Sequence, residues 1–215
     1  MLEFALAMSL LVPMFAGMFT IGMTLCKGIQ VSNVCQDAVI LLLSSVTQPN
    51  AGLDLSQVQN QRIIVRAAQG LGMNSDAQDD PSSTGNAVVI LSKIVMVGPN
   101  ECSTGVVPAP SNAPPWTSAN CPNYGQYAFE YRVVIGNGTA WTSKFGNPPS
   151  GIVQSNGTIS AANIATNTSN IAQNAAFLNL TPSTFALVSE MYANVSYLNL
   201  FSIMQTPVIY SRSIS

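Results

Sequence analysis

The side chains with chemistry to offer are few: four cysteines, nine acids, seven basic residues and no histidine in 215 residues. Without histidine the commonest metal ligand and the commonest general acid and base are missing, and no Ser/His/Asp constellation can form. A paired-carboxylate hydrolase needs two acids converging in a cleft, and nothing in the pattern brings Glu101, Glu130 and Glu190 together. Asp76, Asp79 and Asp80 do not follow the D-x-[DN]-x-[DN]-G spacing of a calcium loop. The sequence contains no C-x-x-C-H, no Walker loop and no cysteine cluster with metal-ligand spacing. The expectation is therefore no enzyme, no cofactor and no metal. A net charge of −2, with only 7% of residues charged, leaves no basic patch, so neither nucleic acid nor an anionic membrane surface is an expected partner.

Cysteine chemistry is the exception. Cys102 and Cys121 flank a Pro/Ser/Asn-rich loop and are the expected bridge; in the chain-entropy model it contributes about 3 kcal/mol. The alternative is a pair of free thiols in a cytosolic loop; the neutral, Asn/Ser/Thr-rich composition favours an exported chain and the bridge. Cys26 and Cys35 fall on one helix, rotated by about 180° from one another, and cannot pair within it.

The second chemical feature is Glu3, the one acid before Lys27 in an otherwise apolar run. A carboxylate in lipid costs several kcal/mol unless paired. Either Glu3 sits at the interface near the positive end of the helix dipole, or it pairs with the α-amino group, at Met1, of a neighbouring copy. The run from Phe4 to Leu25 is long enough, at about 1.5 Å per residue, to cross a hydrocarbon layer of about 30 Å. It lacks a basic leading region and an A-x-A cleavage pattern, so it is expected to be retained; the missing basic flank suggests a leader already removed, with Met1 not the initiator. Pro13 removes one backbone hydrogen bond within it. Gly17, Gly22, Ala5, Ala7, Ser9 and Ala16 allow close helix approach, and Met14 and Met18 supply adaptable packing.

These residues must be carried by elements. Beyond Lys27, apolar Val31, Val34, Cys35, Ala38, Leu42 and Val46 form one stripe, so the spacing predicts a single helix from residue 2 to about 45. A second helix is expected over 56–71, with Leu55, Val58, Ile64, Val65, Ala68 and Leu71 inward and Gly70 and Gly72 ending it. Residues 73–86 read as an acidic loop. Strands are expected at 87–97, at 127–135, at 139–145 after the Asn137-Gly138 turn, at 185–198 and at 206–214, the last an edge because of Pro207. In the second of these Tyr127, Phe129, Tyr131, Val133 and Ile135 are expected on one face, opposite Glu130 and Arg132. Residues 98–122 read as a Pro-rich loop. Asn156-Gly157 should join short segments around Ile152 and Ile159, and 160–180 should be a loop with a helical turn. Asn137, Asn156, Asn167, Asn179 and Asn194 begin N-x-S/T sequons and are candidate glycosylation sites.

The fold class expected is α+β: a long N-terminal hydrophobic helix, 1–48, apolar over 1–26 and amphipathic over 27–48, then a head, 49–215, in which a second helix packs on an antiparallel sheet. The opening Leu2-Glu3-Phe4-Ala5-Leu6, the proline-bearing apolar helix, the stripe over 30–38, the run Arg66-Ala67-Ala68-Gln69-Gly70-Leu71 and the late strands ending near Arg212 resemble the TadE-like family of tight-adherence (Tad/Flp), type IV pilin-like subunits. The family's proline comes about six residues after the glutamate, whereas Pro13 comes ten after Glu3. The resemblance implies a precursor cut by a prepilin peptidase and a subunit held in the inner membrane. It implies next an assembly machinery that moves the subunit into an extracellular filament, with copies of itself or other pilin-like subunits as partners. In it Glu3 takes the family's role of pairing with a neighbour's N-terminus. The alternative is a single-pass envelope protein whose β-rich head binds a ligand or surface and never polymerises.

Overall fold

The computed structural model describes residues 2–47, 54–73, 84–106, 115–194 and 208–215; of the first helix, side chains are described from residue 7 to residue 46. The first element is one continuous helix, α1 (Leu2–Thr47), about 70 Å long, with Pro13 inside it. Three glycines and a proline are poor helix formers in water. In a setting without water every backbone group must bond within its own segment, and such residues are tolerated in helices there.

The head is built on β1 (Ala87–Met96), β2 (Tyr127–Gly136), β3 (Phe185–Asn194) and β4 (Val208–Ile214), all antiparallel, in the order β2-β1-β3-β4. β1 is β-branched and almost wholly buried, as a central strand must be. On one face of the sheet lies the second half of α1, with α2 (Val58–Ala67) beside it. Val31, Val34, Cys35, Ala38 and Leu42 of the predicted stripe are buried there against Val89, Leu91, Leu187 and Met191. Each fully buried large apolar side chain contributes roughly 1.5–3 kcal/mol, as an upper estimate. α2 is shorter than the predicted 56–71, and Val58 of its expected inward face is exposed; Leu55, Ile64, Val65, Ala68 and Leu71 are buried as expected. Gly70 and Gly72 both take positive φ, so the chain turns where the sequence placed the stop.

The other face is covered by irregular chain. Phe145, Ile164, Ala165 and the Cys102–Cys121 bridge pack with Ile94, Phe129 and Val188 at one end, and Trp141 packs on Val88, Ile90 and Tyr192 at the other. Three expectations are corrected here. Residues 98–122 are not all loop: α3 (Pro99–Gly105) opens with a proline at its start and carries Cys102 to its partner. It crosses α4 (Ala161–Thr166), the helix within 160–180, at Gly105, where a Cβ would collide with Ala161 and Ala165. Residues 139–145 are not a strand. The Asn137 side chain accepts from the Thr139 hydroxyl and the Ala140 amide, turning the chain over the sheet face instead of along its edge.

The third correction concerns β2. Lys93 pairs with Tyr131 but Ile94 pairs with Phe129, so Glu130 is a bulge. The bulge reverses the alternation: Tyr131, Val133 and Ile135 face α1, while Phe129 belongs to the opposite core and Arg132 is buried. Val153 and Ile159 bridge across Asn156-Gly157 as expected. β4 runs along the sheet's edge as predicted. The Asp76–Asp79–Asp80 loop and the predicted continuation of β3 over 195–198 lie outside the described residues.

Candidate functional site

The first half of α1 is an uncovered apolar surface among the described residues. Exposure of most of its large apolar side chains runs from 44% at Met8 to 67% at Leu10, with Phe15, Met18, Phe19, Ile21 and Leu25 between, while Met23 is half-buried. Nothing lies within 4 Å of a Cβ built on Gly17 or Gly22. The hydroxyls of Thr20 and Thr24 donate to the carbonyls of Gly17 and Thr20, each over 2.8 Å, so they are satisfied inside the helix. α1 is long and apolar enough to cross a membrane. Pro13 sits in the middle of this half. Met1 and the side chain of Glu3 lie outside the described residues.

A polar belt ends that surface. Lys27 Nζ donates to the Gly70 carbonyl over 2.7 Å, and Gln30 Nε2 donates to the Gln69 carbonyl over 2.8 Å. Both carbonyls follow the C-terminus of α2, where a cation is favourable. Cys26 is exposed beside the belt, while Cys35 is buried and donates weakly to the Ser189 carbonyl over 3.1 Å. The two thiols thus point apart, as the helical spacing requires. Beyond the belt a groove of about 270 Å³ runs between α1 and α2, lined by Val34, Asp37, Ile40, Leu41, Ile63, Ile64 and Ala67.

Beneath the irregular cover, the sheet carries a buried polar cluster. Glu190, on β3, is fully buried; its carboxylate accepts from the Ser143 hydroxyl, the Lys144 amide at 2.9 Å and the Tyr210 hydroxyl at 3.0 Å. Arg132, on the next strand but one, is 5% exposed and donates to Ser92 Oγ at 2.7 Å, Asn147 Oδ1 at 2.6 Å and the Gly146 carbonyl at 3.3 Å. Burial pushes the Arg132 guanidinium down to about 10, with the Glu190 charge opposing. Burial, with the Glu190 charge, raises Tyr192 to about 12 and lifts Tyr210 above the usual tyrosine range. The sequence expectation set Arg132 with Glu130 opposite Tyr131, Val133 and Ile135, and found no sign that Glu190 converges with Glu101 and Glu130. The available signal was one acid centred in an apolar strand, which has to find its partners inside the fold.

A second groove, of about 620 Å³, lies at the far end of the head. It brings Glu101 and Glu130 together with Asp54, Lys93 and Tyr131, so two of the three glutamates do share a cleft. Both are already engaged: Lys93 Nζ lies 2.6 Å from Glu130 Oε1, and Glu101 Oε2 accepts from the Gly98 amide and the Ser183 hydroxyl, each at 2.8 Å. The arrangement holds α3 and the bulge in place. Among the described residues no group of three or more His, Cys, Asp or Glu is placed to hold a metal ion.

Cys102 and Cys121 are joined, with Cα atoms 5.8 Å apart. Of the sequons, Asn156 and Asn179 are exposed. Asn137 and Asn167 are half-buried; their amide nitrogens donate to the Gly85 carbonyl at 2.9 Å and to Asn163 Oδ1 at 3.3 Å. Asn194 Oδ1 is buried without a hydrogen-bond partner among the described residues. Comparison with protein-family models, with curated proteins and with solved structures finds no match to this chain.

Proposed function

We propose that this chain is a structural subunit of an extracellular type IV-like filament of the tight-adherence class, waiting in the bacterial inner membrane and polymerising through the apolar half of α1. One observation carries the reading: a helix most of whose large apolar side chains from Met8 to Leu25 stand uncovered is continuous with one whose stripe from Val31 to Leu42 is the spine of a folded head. Such a helix can exchange lipid for other helices at little hydrophobic cost, because both surroundings are equally apolar. The TadE-like resemblance of the opening residues supports the same reading, with a prepilin peptidase and an assembly machinery as earlier partners and Glu3 marking register against a neighbour's N-terminus. The head has few charges, so copies pack without like-charge repulsion.

Electron microscopy of sheared cell-surface material, with mass spectrometry of the subunit's N-terminus, tests this. Filaments containing the chain with a processed N-terminus are expected. A chain confined to membranes supports the second reading, a single-pass envelope protein whose head binds a ligand. The groove of about 620 Å³ beside Lys93 and Glu130 is the feature that favours it.

A further inference from the structure

We propose that the groove between α1 and α2 is the seat for the uncovered half of α1 from a second copy of this chain. The inference rests on the filament reading and supplies its contact. The groove's floor is apolar: Val34, Leu41 and Ile64 are covered or half-covered, while Ile40 and Ile63 stand on its walls at 62% and 46% exposure. Asp37, on its rim, is exposed and stays wetted.

Lipid does not suit this place. With residues 7–26 in a hydrocarbon layer of about 30 Å, Lys27 and Gln30 mark the interface. Ile40 then stands about 20 Å beyond it, at about 1.5 Å of rise per residue. The apolar groove and the apolar half of α1 of one copy therefore do not share one bilayer, and lipid is not the occupant proposed for the groove.

The chain itself carries the complement. The stretch 7–26 has no charge to desolvate. It offers Phe15, Met18 and Phe19 as knobs, and Gly17 and Gly22 as hollows with open space beside them. Two helices flanking a shallow apolar channel are what a third helix packs into, ridges into grooves, at about 8–10 Å between axes. Patch and groove are different surfaces of one molecule, so the contact is heterologous. Each copy filled at its groove leaves its own uncovered helix for the next, and the array grows open-ended. The two surfaces are centred about 30 Å apart along α1, which sets the stagger between contacting copies.

Thiol cross-linking tests this in the full chain. A Cys26→Ala background carrying Phe15→Cys with Ile63→Cys is treated with a short bismaleimide, in sheared filaments and in membranes. The proposal expects a ladder of covalent multimers in the filament fraction from the double variant only, and neither single-cysteine chain should give more than dimers. Ile40→Asp with Ile63→Asp, both at exposed positions, should leave the detergent-solubilised full chain folded by circular dichroism and lower the yield of filaments at least tenfold. Filaments that form normally without the 15–63 ladder, or with both aspartates present, overturn the groove while leaving the filament reading intact. A chain that yields neither filaments nor cross-links, and whose introduced thiol at position 63 is labelled only by lipid-soluble maleimide, overturns both.

Discussion

The Lys27 ammonium donates to the Gly70 carbonyl over 2.7 Å, and that bond stands where α1 passes from an uncovered helix to the spine of a folded head. N-terminal to it most of the described large side chains of α1 are exposed; C-terminal to it Val31, Val34 and Cys35 are buried. The bond ties the turn after α2 to α1 at the start of the buried stripe. Lys27→Ala is expected to cost about 1 kcal/mol of head stability, the usual net worth of such a bond. Denaturant unfolding of detergent-solubilised protein reads it, and filament yield should be little changed.

The disulfide ties α3 to the cover of the sheet. Cys102→Ser with Cys121→Ser, or reduction of the native chain, is expected to lower stability by about 3 kcal/mol. An unchanged denaturation midpoint under reducing conditions would show that the second core holds its loops unaided.

The buried carboxylate of Glu190 holds the irregular cover down through Ser143, Lys144 and Tyr210. Glu190→Ala leaves three donors without an acceptor and the Arg132 charge without its neighbour, at a cost of about 3–5 kcal/mol. Glu190→Gln should cost less, and Arg132→Met combined with Glu190→Met should recover part of the loss. Thermal unfolding of the three variants orders them; equal losses would mean that packing, not charge, decides.

Alkaline pH has a definite sign. Tyr131 and Tyr192 are raised to about 12, and Tyr210 is raised further, each chiefly by burial. Unfolded tyrosine ionises near 10, so above that pH the folded head holds more protons than the unfolded chain. The stability these three contribute is complete below about pH 10 and is lost as pH rises toward 12. Arg132, lowered to about 10, works the opposite way over the same range, but it is one group against three. Ultraviolet titration should show part of the tyrosine absorbance appearing only as the head unfolds; ionisation of all six tyrosines near pH 10 in the folded state would refute this.

Glu3 is the register mark on the proposed reading. Glu3→Ala should leave the chain in the membrane and stop or greatly slow filament growth. Normal filaments from that variant would remove the register role without touching the groove.

How much of this was legible follows from where the information sits. The long helix and the stripe from Val31 to Leu42 are properties of composition and period, and they can be read directly. So can β1, which is rich in β-branched residues and mostly apolar. The bulge at Glu130 cannot be read, because it adds one residue without altering the alternating text around it, yet it moves Phe129 to the core opposite Tyr131, Val133 and Ile135. Residues 139–145 alternate like a strand; what decides is the Asn137 side chain, which satisfies two following donors locally and turns Trp141 and Phe145 onto the sheet. The polar cluster is legible only in part: Glu190 stands as one acid in an apolar strand, but its partners Ser143, Lys144 and Tyr210 and its relation to Arg132 depend on the strand order and the covering loop. The α1–α2 groove depends on a helix pair whose spacing no local pattern states.

Helical reconstruction of filaments sheared from cells that make this chain is the most direct test of the central claim. The expected result is a core of α1 helices in which residues 7–25 of each copy are enclosed by other copies, with the four-stranded heads outside. Filaments that lack the chain, or that contain it with residues 7–25 cleaved away, would contradict it.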